Sequence, residues 1–92
     1  MHFEWDKAKN LINIRKHGID FSDVPAMFEH PVVALRDDRM SYGEERWVGI
    51  GLITRFIGVV VYTERRGNVI RIISARKATR EEAKHYVQSI EN

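Results

Sequence analysis

Residues 46–65 read RWVGIGLITRFIGVVVYTER, and their alternation decides the fold. Apolar and small or aromatic residues alternate with a period of two on either side of Thr54-Arg55, the pattern of two strands joined by a short loop. With a two-residue loop, Ile53 pairs with Phe56, Gly51 with Gly58, Gly49 with Val60 and Trp47 with Tyr62. Further on, Val69 to Arg76 is another strand, reached through an Arg66-Gly67-Asn68 turn. Carrying the same parity through that turn separates two faces. One holds Glu45, Trp47, Gly49, Gly51, Gly58, Tyr62, Glu64, Arg71, Ile73 and Lys77. The other holds Val48, Ile50, Leu52, Ile57, Val59, Val61, Ile70 and Ile72, and it is the expected core. Glycines in a strand mark the close approach of another group, so the first face awaits either the C-terminal helix or a ligand.

Before this region the period is helical. Asp6 to His17 reads as a helix, with Ala8, Leu11, Ile12 and Arg15 near helical spacing and Gly18 as its C-cap. Ser22 to Phe28 reads as a second, short helix with Ser22 as N-cap and Pro25 in its first turn. Val32 to Arg36 is extended, and Asp37 to Glu44 is a polar loop. At the other end Thr79-Arg80-Glu81-Glu82 forms a capping box. The helix it opens carries Ala83, Tyr86, Val87 and Ile90 on one face. The expectation is a single α+β domain over residues 1–92: two N-terminal helices, an antiparallel meander of about four strands and a C-terminal helix.

The 92 residues are 43% hydrophobic and 30% charged, the balance of a soluble globular protein. The longest apolar run, Ile57 to Tyr62, is far too short to span a bilayer, and no secretory signal is read at the N-terminus, so a cytoplasmic, membrane-free protein is expected. Without cysteine there can be no disulfide, thiolate zinc site or cysteine nucleophile. His2, His30 and His85 lack companions at metal-ligand spacing, and Asp37-Asp38 suits a turn; neither metal nor cofactor is expected. The net charge of +2 conceals an asymmetry. Residues 1–53 hold seven Lys/Arg against nine Asp/Glu, whereas residues 54–92 hold eight against four. A basic half suits a polyanion such as nucleic acid.

The residues able to act on a phosphodiester are few. Arg65 and Arg76 end strands, and Arg80 opens the last helix, so Arg76, Lys77 and Arg80 should share a patch beside a helix N-terminus. Guanidinium forks suit phosphate oxygens and offset charge that builds in a transition state. His17, preceded by Lys16, is of the residue type that titrates near neutrality. Tyr62 and Trp47 are candidates to stack a base, with Arg71 nearby. Glu64, Tyr62 and His17 are the possible acid–base groups, and the sequence does not assign base or acid among them. Each also has a plain structural reading: His17 as a helix-end surface residue, the arginines as partners of Glu64, Glu81 and Glu82.

Several stretches together resemble one family. Phe3-Glu4-Trp5-Asp6, Asn13, Lys16-His17-Gly18-Ile19 and Phe21 resemble the N-terminal signature of BrnT toxins. Tyr42-Gly43-Glu44-Glu45-Arg46-Trp47 and Tyr62-Thr63-Glu64-Arg65 resemble its middle. Ile70-Arg71-Ile72-Ile73-Ser74-Ala75-Arg76-Lys77-Ala78-Thr79-Arg80-Glu81-Glu82 resembles its most distinctive stretch. The resemblance implies a RelE-like fold and a metal-independent endoribonuclease that arrests translation. It also implies a type II toxin–antitoxin operon, with a BrnA-like antitoxin that binds the toxin and carries it to promoter DNA. An arginine-centred catalytic site then falls on Arg65, Arg76 and Arg80, with His17 and Tyr62 beside it, and RNA contacts on Lys16, Trp47, Arg71 and Lys77. The doubled Arg65-Arg66 before Gly67 departs from the family pattern and leaves open which of the two faces substrate. A non-catalytic module that only docks the antitoxin and tunes promoter binding is the competing reading.

Overall fold

The hairpin at the centre of the sequence is the centre of the sheet. In the computed structural model, which describes residues 1–39, 41 and 43–91, β3 (Trp47–Ile53) and β4 (Phe56–Arg65) pair in the anticipated register, from Trp47 opposite Tyr62 to Ile53 opposite Phe56. Thr54 takes a left-handed φ of 50° to close the two-residue loop. β5 (Val69–Lys77) returns antiparallel to β4, and β2 (Val33–Arg36) pairs antiparallel with β3.

A fifth strand lies outside the expected meander. β1 (His2–Trp5) pairs parallel with β5, Phe3 opposite Ile70 and Trp5 opposite Ile72, so the sheet is mixed, in the order β1-β5-β4-β3-β2. Four residues are too few to establish a period of two, and the partner that makes them a strand lies over sixty residues away.

On β3 and β4 the expected core face is the wrong one, whereas Ile70 and Ile72 of β5, also expected in the core, are buried there. Trp47, Phe56, Val60, Tyr62 and Ile53, from the glycine-bearing face, pack into the core with Ile70, Ile72 and Ala75 of β5. Val48, Ile50, Leu52, Ile57 and Val61 are only half-buried on the other side, although Val59 there is covered. Met27 explains the inversion. A Cβ on Gly51 would lie 2.6 Å from Met27 Cγ, and one on Gly49 would meet Tyr62 and Val32 at 3.0 and 3.1 Å. The close approaches are made by core side chains, Met27 at Gly51 and Tyr62 and Val32 at Gly49, and not by the C-terminal helix or a ligand. A β-bulge between Val61 and Tyr62 advances β5 by one residue, so that Tyr62 opposes Ile72 and Arg71 opposes Thr63. Arg71 consequently leaves the Tyr62 face, to which uninterrupted parity assigned it.

α1 (Lys7–His17) begins at Asp6, whose side chain accepts from Lys9 N–H, and ends at Gly18 with φ 71°. The second N-terminal α-helix is absent. In its place stand two 3₁₀ turns, Phe21–Asp23 and Pro25–Glu29, and Asp20 rather than Ser22 caps the first. They drive Phe21, Val24 and Met27, all fully buried, into the glycine face. α2 (Arg80–Glu91) starts with the anticipated capping box, Thr79 N–H donating to Glu82 Oε1 and Glu82 N–H to Thr79 Oγ1. It packs against β3, and the Tyr86 hydroxyl donates to the Pro31 carbonyl. Among the described residues no helix is long and apolar enough to cross a membrane.

Candidate functional site

The half-open face of the sheet becomes a cleft where α1 and the loop after β2 rise beside it. α1 is fixed to β5 by Asn13, which is 6% exposed. Its Nδ2 donates to the Ala75 and Ile19 carbonyls, and its Oδ1 accepts from Ala75 N–H. One helical turn beyond Asn13 come Lys16 and His17, and next to Ala75 comes Arg76, so one amide holds both walls in register. The resulting cleft of about 290 Å³ is floored by Val48, Val59 and Val61 and walled by Lys16, His17, Arg39, Ser74 and Arg76. Among the described residues no carboxylate lines it.

Both wall arginines are held by an acid. Glu82 takes the Arg76 guanidinium at 2.8 and 2.9 Å, and Arg76 Nη1 also donates to the Lys77 carbonyl. The pairing pulls Glu82 from its ordinary 4.5 down to about 2. Arg76 is pushed upward, chiefly by the same hydrogen bonds and against partial burial and repulsion from Arg39. That repulsion places Arg39 within electrostatic reach across the cleft. Arg39 is in turn held by Asp37, Nε donating to Oδ1 at 2.8 Å and Nη2 to Oδ2 at 2.9 Å. The Asp37 side chain is 2% exposed, so the acid is buried behind the loop while the arginine reaches outward. A cationic rim over an apolar floor can hold a phosphate at the rim and a sugar or base edge below it.

Of the residues singled out from sequence, the fold brings together His17, Lys16 and Arg76. Others lie elsewhere. Tyr62 is 5% exposed in the core, edge-on to Phe28 at 5.2 Å between centroids. Burial, then the neighbouring Glu64 charge, pushes its phenol upward. It offers no face for stacking. Trp47, half-buried, packs against the same core. Lys77 sits on the opposite face from Arg76, over the Phe56 ring at 5.4 Å. Arg71 pairs with Glu4 of β1. Arg65 lies four residues along β4 from Val61, 3.4 Å from Glu44. Arg80 is exposed at the start of α2, outside the cleft lining. Strand alternation turns Lys77 away from Arg76, so these two neighbours do not share the expected patch. Arg39 was missed. It stands in an acidic loop, where its only sequence signal is the Asp37-x-Arg39 spacing that lets one side chain fold back on the other. Tyr42, within the family-like stretch 42–47, lies outside the described residues.

Two other hollows suit a polyanion less well. One is lined by Asp37, Asp38, Glu44 and Glu45 with Arg36, and the other is an apolar groove between Met1, Phe3, Pro25, Ala26, Phe28 and Glu29. Among the described residues no three His, Asp or Glu side chains gather as a metal-binding group.

The family model for a ribonuclease toxin of type II toxin–antitoxin systems matches residues 5–82. The chain belongs to that family, BrnT. Its structure is similar to the 1.1 Å crystal structure of the Brucella abortus ribonuclease toxin BrnT, with a TM-score of 0.65 and 26% identity, over 87% of this chain and 99% of that one. No curated protein sequence matches it.

Proposed function

We propose that this chain is a metal-independent endoribonuclease that cleaves RNA in the Lys16–His17–Arg39–Arg76 cleft, arrests translation in the cytoplasm and is neutralised by a BrnA-like antitoxin. The observation that carries the proposal is the gathering of three cations and a histidine over an apolar floor, with no carboxylate in the lining among the described residues. RNA supplies its own nucleophile. The 2′-oxygen forms a bond to phosphorus, the bond from phosphorus to the 5′-oxygen breaks, the 2′-proton goes to a base, and the leaving 5′-oxygen takes a proton. Arg39, Arg76 and Lys16 offset the charge gathered on the phosphoryl oxygens. His17 is the group in the cleft of a type able to move a proton at neutral pH, a contribution typically worth about 10²–10⁴-fold. Arg76 acts as a fixed charge, because Glu82 occupies one edge of its fork and leaves Nε–H and one Nη2–H outside that pairing.

The test is cleavage of a defined RNA in excess EDTA by the purified chain and by His17→Ala, Arg39→Ala and Arg76→Ala. Cleavage by the wild type that persists in EDTA and falls by about 100-fold or more in the variants is expected. Cleavage abolished by EDTA would remove metal independence, and intact RNA with the wild type would leave only the non-catalytic, antitoxin-docking module.

A further inference from the structure

α1 is turned inside out. Its inward side is polar: Asn13 binds backbone, Asn10 Oδ1 accepts from Phe21 N–H, and Asn10 Nδ2 donates to Asp20. The apolar residues at helical spacing point the other way. Leu11 and Ile12 are 66% and 61% exposed, with Ala8 and Arg15 exposed on the same stripe. Around them stand Lys7, Lys9, Arg15 and Lys16, and residues 7–17 contain no acid.

We infer that the outer face of α1 is the docking surface for an acidic amphipathic segment of the antitoxin protein. Charge complementarity selects this occupant: an apolar pair ringed by cations fits a segment with apolar anchors flanked by carboxylates. RNA is the poorer occupant, because Leu and Ile provide no ring to stack a base. The helix of eleven residues spans only about 16 Å. Two large apolar groups on so short a helix hold an interfacial membrane segment weakly. The position also gives a route to inhibition. Lys16 and His17, in the last turn of the same helix, wall the cleft, so a carboxylate-bearing segment laid along α1 ends at its mouth and competes with phosphate for those cations.

The inference rests on the toxin–antitoxin part of the proposed function and not on catalysis. Its test titrates the purified protein encoded by the neighbouring frame into the chain and into the double variant Leu11→Glu/Ile12→Glu. Thermal melting and RNA cleavage without partner check that the variant stays folded. Loss of affinity of about 100-fold or more, with melting and cleavage unchanged, is expected. Lys7→Glu/Lys9→Glu should weaken the complex and flatten its salt dependence. Equal binding by wild type and Leu11→Glu/Ile12→Glu would overturn the docking surface while leaving the nuclease reading intact. Loss of binding to phosphatidylglycerol vesicles alone would assign the stripe to a membrane and overturn it too. A wild type that binds its neighbour without cutting RNA would sink the nuclease and keep the surface.

Discussion

Asn13 and Ala75, sixty-two positions apart, pair as two strand residues would: Asn13 Nδ2 donates to the Ala75 carbonyl at 2.9 Å, and Ala75 N–H donates to Asn13 Oδ1 at 3.1 Å. β1 stops pairing with β5 at Ile72, and the amide of Asn13 takes over the exposed edge three residues on. A side chain thus completes the sheet and fastens the helix that carries Lys16 and His17.

Asn13→Ala should destabilise the chain by about 2–4 kcal/mol, because it leaves the buried Ala75 N–H and two carbonyls without partners. Asn13→Asp should be no better, since a carboxylate can accept from Ala75 N–H but faces the Ala75 and Ile19 carbonyls with lone pairs. Urea unfolding measures both. An Asn13→Asp chain as stable as the wild type would contradict the donor role of Nδ2.

Gly51→Ala should cost about 1–3 kcal/mol by overpacking, since its Cβ would lie 2.6 Å from Met27 Cγ and 3.1 Å from Sδ. Shortening Met27 in the same chain should recover part of that loss, a coupling that a double-mutant cycle reads directly. Additive losses would mean that Met27 does not fill this face.

Glu82→Gln keeps an acceptor for Thr79 N–H but removes the negative charge that pairs with Arg76. Glu82 is depressed in the folded chain, so its contribution is present above about pH 4.5 and disappears as pH falls toward 2. Screening at this partly exposed pair limits the difference to about 1 kcal/mol at pH 7. Denaturation at pH 7 and at pH 2 should show the two chains apart at the first and converging at the second.

Asp37→Asn should release Arg39 from its charged anchor and weaken RNA binding in the same direction as Arg39→Ala, with a shallower dependence of affinity on salt. Tyr62→Phe is the contrasting substitution. Its ring lies in the core, so RNA cleavage per folded molecule should be unchanged. A large loss of cleavage at wild-type stability would return Tyr62 to the site.

Local chemistry accounts for what could be read early. The cap at Gly18, the capping box at Thr79 and Glu82 and the two-residue loop after Ile53 depend on residues within four positions of one another, and all three form. The short helix over 22–28 gave way to 3₁₀ turns because Asp20 caps earlier and burial of Phe21, Val24 and Met27 governs the segment. Within the site, Lys16, His17 and Arg76 were readable as basic or titratable groups at element ends. Arg39 was not, since its usefulness depends on a buried acid and a loop that folds over the sheet.

The sequence by itself determined the β3–β4 pairing, both helix caps, the basic bias and the family, because alternation, capping and motif spacing are carried by near neighbours along the chain. Only the tertiary structure decided which side of the sheet is covered, that β1 joins it in parallel and which cations share a cleft. Parity says which residues stand together on a face, but the choice of face belongs to the distant side chains, Met27 and Phe21 among them, that fill it.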